Sequence, residues 1–445
     1  MEITLTELLD AREERARIQS ELIRRHGAPL VCFTMNIAGP VKTSPLIERA
    51  FSIGTVLIKD ALSDIDSPEE HMELGKCGPV LYYSVKADAK AVKSRLSLIE
   101  DTYPIGRLFD MDVIDTDGRK LERERERCCL ICGKRGRACA AGRLHPLYEI
   151  TATTERMLTE HLLSLDVAHI GTLAREAMLR EVYTTPKPGL VDTENTGSHR
   201  DMTLSHFERS AEALEPYFCE CARVGYTLRA EDADTRFARL RLLGISAEES
   251  MYAATGGVNT HKGLIFSLGI VAGAVGTLMR PDGYVPTTDE ILAEAAHLAR
   301  LPLSELEKLG RTTAGVRAFL EHGRRGIRGE AADGFPSVRS VSLPVYLEAL
   351  KRGKSKNDAG VLALLHLIAT IYDTSIYNRG GDGAVTYARG LARELISLGD
   401  PTHDEVRKMD AELTRLNLSP GGCADLLALT YFLAEIEEIR KGSEE

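Results

Sequence analysis

MLTEHLLSLDVAHIGTLAREAMLREV, residues Met157–Val182, decides how this chain is divided. Apolar residues recur along it at the spacing of an amphipathic helix. Upstream, the sequence mixes helix and strand patterns; downstream, strand signals almost vanish. A chain of 445 residues is also too long for one typical domain. The change of class near residue 160 therefore predicts two domains. Residues 1–160 should be α+β, and residues 161–445 all-α with function in the connecting loops.

In the first part, Leu5–Arg25 has the pattern of an amphipathic helix. Leu46–Lys59 reads as helix leading into strand, and Lys90–Glu100 as helix. Leu30–Phe33, Val80–Val85 (VLYYSV) and Arg107–Ile114 (RLFDMDVI) read as strands. Glu122–Arg127, ERERER, reads as a solvated charge run. In the second part, helices are expected at Phe207–Arg223, Asp289–Leu301, Ser304–Leu320 and Leu343–Arg352. Further helices are expected at Asp358–Tyr377, Val385–Leu398, His403–Leu416 and Ala424–Arg440. The uncharged run Gly263–Met279, GLIFSLGIVAGAVGTLM, is short for a membrane span and reads as a buried core helix.

Composition narrows the function classes. The formal net charge is -10, which disfavours nucleic acid as a partner, because that needs a basic face to displace counterions. The chain has no Trp and only 5% aromatic residues, so base-stacking platforms are not expected. Nine cysteines, an odd number with four in one short segment, fit a reducing cytoplasm better than a disulfide scaffold. The first residues, MEITLTELLDAREERARIQS, lack the apolar core of a signal peptide, and no membrane association is expected.

Three stretches carry chemistry. Asp110 and Asp112 alternate on a strand, so both carboxylates can face one cation, with Arg107 near enough to grip phosphate. Cys129-x-x-Cys132, Cys139 and His145 are the ligand types of a tetrahedral zinc site; the competing reading is a set of small buried thiols. Thr185–Met202, TPKPGLVDTENTGSHRDM, cannot be regular structure around its two prolines. It carries Asp192, Asn195, His199 and Asp201 on an irregular backbone, where catalytic groups tend to lie.

NIAGPVK (Asn36–Lys42), GRLFDMDV (Gly106–Val113) and CLICGKRGRACAAGRLHPL (Cys129–Leu147) together resemble holo-citrate lyase synthase, the apo-citrate lyase phosphoribosyl-dephospho-CoA transferase. PKPGLVDTENTGSHRDM (Pro186–Met202), TGGVNTHKGLIFSLG (Thr255–Gly269), GFPSVR (Gly334–Arg339), DTSIYNRGG (Asp373–Gly381) and NLSPGGCADLLA (Asn417–Ala428) resemble triphosphoribosyl-dephospho-CoA synthase. The chain thus looks like a fusion of the two, with a nucleotidyltransferase-like first domain.

The resemblance implies a two-step route. The second domain would join ATP and 3′-dephospho-CoA with loss of adenine. The first would then pass the product to a serine of the citrate lyase acyl carrier (gamma) subunit, releasing pyrophosphate. For the glycosyl transfer, Asp192, Asp201 and Asp373 are candidates for cation binding, base and ring stabilisation, in an order left open. His199 is a candidate acid or base. Asn195 and Asn259 could hold a ribose hydroxyl or a metal. Gly256 and Gly257, ahead of a helix start, could present N–H groups to phosphate, with Lys262 and Arg379 adding charge. For the transfer to the carrier, Asp110 and Asp112 would hold Mg²⁺, and Arg107, Lys42 or Lys86 would bind phosphates. Mg²⁺ is implied at both sites, and zinc would be structural. A competing enzyme class is an all-α metal-dependent phosphohydrolase with a zinc-binding regulatory domain, suggested by His403-Asp404. A non-catalytic reading is a zinc-binding interaction module on a helical scaffold.

Overall fold

The computed structural model describes residues 2–300 and 326–444. The expected helix Ser304–Leu320 lies outside the described residues. The chain divides into two compact units, Met1–Leu165 with Arg280–Tyr284, and Asp166–Met279 with Val285–Glu445.

The first unit opens with α1, Leu5–His26, started by a Thr4/Glu7 capping box and stopped by Gly27 in the left-handed region. Strands β1 (Leu30–Met35), β2 (Glu70–Glu73), β3 (Val80–Ser84) and β4 (Phe109–Ile114) form one antiparallel sheet in the order β2-β3-β1-β4. Helices α2 (Pro45–Ala61) and α3 (Ala89–Thr102) supply apolar faces to one side of it. Phe33 of β1 is the hub. Its ring stacks on Phe51 at 4.8 Å and meets Phe109 edge-on at 5.5 Å. α2 comes so close that a Cβ on Gly54 would stand 2.3 Å from the Phe33 ring. A smaller cluster on the opposite face packs Leu22 and Ile23 of α1 onto Leu30, Cys32 and Tyr82.

Two expectations change here. Leu46–Lys59 is helix throughout and leads into no strand; Arg107 sits in a short 3₁₀ turn, Gly106–Leu108, just ahead of β4. β2 had no sequence signal. It is an exposed edge strand, EHME, with no apolar alternation. The short α4, Gly136–Ala141, follows in the cysteine segment, and α5, Leu147–Tyr183, runs across the division between the units.

Every regular element among the described residues of the second unit is helical. α6 (Leu204–Thr227), α7 (Ala233–Thr255), α8 (Lys262–Leu278) and α9 (Thr288–Ala299) come first. α8 is the uncharged run, and Leu264, Leu268, Val271 and Val275 are all buried in it. It meets α6 backbone to backbone. A Cβ on Gly276 would stand 2.0 Å from Ala222 O, and one on Gly225 2.0 Å from Gly273 O. Among the described residues no single helix is long and apolar enough to cross a membrane.

The later helices run Gly326–Ala332, Leu343–Lys351, Lys356–Thr370, Thr374–Ser397, His403–Arg415 and Gly421–Glu444. The expected helix Asp358–Tyr377 is in fact broken: it stops at Thr370, and Asp373 caps the next one. Asn378 and Arg379, expected in a loop, are inside that next helix, which bends at Gly381 (φ 71°). α7 was not anticipated; its apolar periodicity is weak because Arg236 is buried on the same face as Phe237 and Leu240.

Candidate active sites

In the first unit, β4 sends Phe109, Met111 and Val113 into the core. The strand period then leaves Asp110 and Asp112 together on the other face, opposite Thr34 and Cys32 of β1. They line a cleft of about 1180 Å³ with Lys93, Arg107, Lys120 and Arg127. Burial raises the Asp112 carboxyl above the usual range, and the neighbouring Asp110 raises it further. Lys120 is hydrogen-bonded to Asp112, and Arg127 Nη2 lies 3.5 Å from Asp110 Oδ1. Two carboxylates on one face fit a divalent cation, which would compete with Lys120 there. Lys42 bonds back to Ile37 O and Lys86 pairs with Asp66 at 2.7 Å; neither is among the cleft-lining side chains.

Behind the cleft sits Glu100, 1% exposed. It accepts the Met111 N–H at 2.8 Å and Arg123 Nη1 at 2.6 Å, is bonded to Arg127, and has Lys93 Nζ at 3.8 Å. The ERERER run is therefore not simply solvated. Arg123 and Arg127 turn in to Glu100, because a buried carboxylate needs counter-charge. The run's period-two charge pattern held the signal.

Beside these groups, Cys129, Cys132, Cys139 and His145 bring one ligand atom each to within 4.8 Å of one another. Among the described residues His145 Nε2 is buried without a hydrogen-bond partner.

In the second unit, the loop Thr185–Met202 folds against residues 410–419. Asp410 accepts the Gly189 N–H and Asn195 Nδ2, at 2.8 and 2.9 Å. Ser198 donates to Leu418 O at 2.6 Å, and Arg407 grips Glu194. Asp192 is buried and accepts the N–H groups of Lys187, Glu194 and Asn195. It braces the loop from within. Asn195 is likewise engaged, its Oδ1 accepting the Gly197 N–H. His199 Nε2 lies 2.8 Å from Ser419 Oγ, and burial, then Arg379, lowers its pKa, so it is neutral near pH 7. Arg379 donates to Ser198 O at 2.9 Å and to Asn417 Oδ1 at 3.1 Å. Asp201 is exposed beside these two.

Asp373 accepts the N–H groups of Ser375, Ile376 and Cys423, tying two helix starts together. Gly256 and Gly257 do not offer their N–H groups as expected. Both turn back to Tyr252 O and close α7. Asn259 Oδ1 accepts the Lys262 N–H at 3.3 Å, and Lys262 pairs with Glu248 at 2.6 Å.

Four residues of this neighbourhood escaped the sequence reading. Lys187 and Glu181 form a buried pair at 2.5 Å. His261, the N-cap of α8, is buried; its Nδ1 bonds Ser210 Oγ at 2.7 Å and its Nε2 has no hydrogen-bond partner among the described residues. Asp425 packs on Gly263, where a Cβ would stand 2.0 Å from its Oδ2. Burial, then Glu181 and Asp373, push the Asp425 carboxyl well above the usual range. Lys187, His261 and Asp425 all lie inside the stretches quoted above. A glycine two or three residues from each was the available signal. His403 and Asp404 have separate partners, Asp358 and Arg407, so they form no dyad.

A family model described as ATP:dephospho-CoA triphosphoribosyl transferase (CitG) matches residues 167–444. One described as apo-citrate lyase phosphoribosyl-dephospho-CoA transferase (CitX) matches residues 3–161. The chain is 34% identical over 457 residues to "Protein CitXG" of Haemophilus influenzae, covering 97% of this chain and 96% of that one. It belongs to the CitXG family. Protein CitXG of Leuconostoc mesenteroides subsp. cremoris is 32% identical over 98% of this chain and 97% of its own. The CitG half alone is similar to a probable 2-(5''-triphosphoribosyl)-3'-dephosphocoenzyme-A synthase of Vibrio cholerae, 38% identical over 287 residues, 61% of this chain and 89% of that one. The carboxylate cleft falls in the part matched by the CitX model, and the loop at Thr185–Met202 in the part matched by the CitG model.

Proposed function

We propose that this chain makes and then attaches the prosthetic group of citrate lyase. The CitG half, residues 161–445 as an all-α domain, joins ATP to the 2′-hydroxyl of 3′-dephospho-CoA with release of adenine. The CitX half, residues 1–160 as a nucleotidyltransferase-like domain, passes the product to a serine of the acyl carrier (gamma) subunit with release of pyrophosphate.

One observation supports this above the others. Five separated parts of the CitG half, loop and helix ends among them, converge. Gly189 meets Asp410, Arg379 meets Ser198 and Asn417, Asp373 meets Cys423, and Gly263 meets Asp425. The convergence gathers Asp425, Glu181, Lys187 and His261, charged or titratable groups of the kind glycosyl transfer needs. As positive charge grows on the ATP ribose it favours the ionised form of a carboxyl beside it, and that carboxylate lowers the barrier; Asp425, raised in the free site by burial and with no bonded partner among the described residues, is our candidate for it. His199, neutral and bonded to Ser419, is a base for the attacking hydroxyl; Asp201 stands beside it. Asp192 and Asp373 brace these segments through backbone N–H groups, and Asn259, Lys262 and Arg379 are the candidates to bind substrate hydroxyls and phosphates.

In the CitX half, Arg107 and Arg127 bind phosphate oxygens, and Asp110 and Asp112 would hold Mg²⁺. That ion would offset charge on the phosphates. The Cys129, Cys132, Cys139 and His145 donor set suits Zn²⁺. Nine free thiols fit the reducing cytoplasm as the place of work.

The deciding experiment is the mass of the carrier subunit after incubation with the full chain, ATP and dephospho-CoA. The expected result is a gain equal to the phosphoribosyl-dephospho-CoA group, with one adenine released per carrier. Phosphate release without adenine would instead support a phosphohydrolase.

A further inference from the structure

The cysteine–histidine cluster is built like a metal centre in more than its residue types. Cys132 Sγ and Cys139 Sγ are 3.5 Å apart. The edge of a tetrahedron with Zn–S bonds of about 2.3 Å is about 3.8 Å, so the spacing fits. The Ile131 N–H points at Cys129 Sγ at 3.4 Å, and Gly133 takes φ 68° to close the turn. The Gly133 N–H bonds Cys129 O at 3.1 Å, and Cys129 N–H bonds Lys134 O at 2.6 Å. This is a tight knuckle that aims two sulfurs at one point. α4 supplies Cys139, 6% exposed. His145 closes the set, with Nε2 buried and unpartnered and Nδ1 3.6 Å from Glu149 Oε2. A ring nitrogen facing a carboxylate is the arrangement that orients a metal-bound imidazole.

The knuckle is also wired to the cleft. Arg107 donates from Nη2 to Cys128 O, the carbonyl just before the first ligand. Its other nitrogen, Nη1, is buried with no hydrogen-bond partner among the described residues. On the far limb, the Gly136 N–H donates to Arg127 O at 2.9 Å. No side chain fits there, since a Cβ on Gly136 would stand 2.7 Å from Arg127 O. Arg127 in turn reaches Glu100 and Asp110. So one limb of the knuckle holds the Arg107 guanidinium, the other holds the Arg127 backbone, whose guanidinium reaches Glu100 and Asp110, and Cys129, Cys139 and His145 line the same cleft.

We propose that the cluster binds one Zn²⁺, and that this ion positions Arg107 and Arg127 to grip a diphosphate in the cleft. Zinc takes no part in bond making. It fixes the backbone at Cys128 and Gly136; the first point holds the Arg107 guanidinium and the second the Arg127 backbone from which its side chain reaches the cleft. Arg107 Nη1 is the donor left for a phosphate oxygen. The ligand class is a pyrophosphate or the diphosphate portion of a nucleotide, because two guanidiniums lining one cleft can each meet one of two linked phosphates. Arg107 and Arg127 are binding residues here; Cys129, Cys132, Cys139 and His145 are positioning residues.

The test uses the full chain and inorganic pyrophosphate as the probe, and it rests only in part on the proposed transferase activity. Metal analysis of the purified chain should find about one zinc. Cobalt substitution should give the intense visible bands of tetrahedral thiolate coordination. Pyrophosphate binding, measured by calorimetry, should weaken about tenfold or more in Cys132→Ser and recover in no metal buffer. Arg107→Lys should keep zinc and the cobalt spectrum yet lose similar affinity, which separates positioning from folding. Absence of zinc, or unchanged pyrophosphate affinity in a zinc-free chain or in Arg107→Lys, would overturn the proposal. Tight zinc-dependent pyrophosphate binding without carrier loading would uphold it and count against the transferase reading instead.

Discussion

Asp425 Oδ2 occupies the space into which any side chain at residue 263 would project; a Cβ on Gly263 would approach it to 2.0 Å. The helix start of α8 and the helix start at Gly421 are thereby pressed together with a carboxylate between them. Asp425→Asn should keep the fold and lower adenine release on the order of 100-fold, the usual cost of removing one electrostatic stabiliser. Gly263→Ala should do the same by displacing that carboxylate. Carrier loading from supplied intermediate should continue in both. Normal adenine release by Asp425→Asn would remove Asp425 from the reaction.

Asp410 holds the Thr185–Met202 loop through the Gly189 N–H and the Asn195 amide. Asp410→Ala leaves both donors without an acceptor, at a cost of about 1–3 kcal/mol. Thermal unfolding of the second unit should shift down accordingly, and KM for ATP should rise. An unchanged melting curve with unchanged KM would show that the loop is held by other contacts.

His261 is held at a pKa of about 3 by burial, with Lys187 adding to the effect. An unfolded histidine titrates near 6.5. Between these values the unfolded chain binds a proton that the folded chain refuses. Stability from this site is therefore complete above pH 6.5 and is lost as pH falls toward 3, with a slope of up to about 1.4 kcal/mol per pH unit. Denaturant titrations across pH 7 to 4 should show His261→Gln to have a shallower loss than the parent. Parallel profiles would mean that His261 charges freely in the folded state.

Glu100 answers Lys93, Arg123 and Arg127 from a position 1% exposed. Glu100→Gln would leave several cations with no buried anion, which should cost the first unit about 3–5 kcal/mol. Limited proteolysis at the Glu122–Arg127 run should speed up in the variant. Equal cleavage rates would show that the run is not pinned by Glu100.

Periodicity made the large elements legible. The strand at β4 could be read because Phe109, Met111 and Val113 alternate with polar residues, and the same alternation put Asp110 and Asp112 on one face. β2 was not legible, since an exposed edge strand needs no apolar residue. The break after Thr370 was hidden because the apolar pattern runs on past it, and only the Asp373 cap ends the continuity. Site residues were legible where the chemistry is local. Cys129, Cys132, Cys139 and His145 lie close in sequence and close in space. In the second unit the acid–base neighbourhood is assembled from residues as far apart as Glu181 and Asp425, so spacing carried nothing about it. Conversely, Asp192 and Asp373 look like free acids in the sequence. Only the fold shows that their oxygens are already taken by backbone N–H groups.

The exposed edge of the sheet bears on how the chain is made. β2 carries a glutamate at each end, Glu70 and Glu73, and its one apolar side chain, Met72, makes no continuous apolar face for another strand. The first unit leaves the ribosome while the long helical unit has still to be synthesised, at roughly 5–20 residues per second. Through that interval neighbouring nascent chains on one messenger hold the same unit at high local concentration. An acidic edge makes strand exchange between them unfavourable, so the order of the two units in the chain places the only sheet among the described residues where such protection is needed soonest.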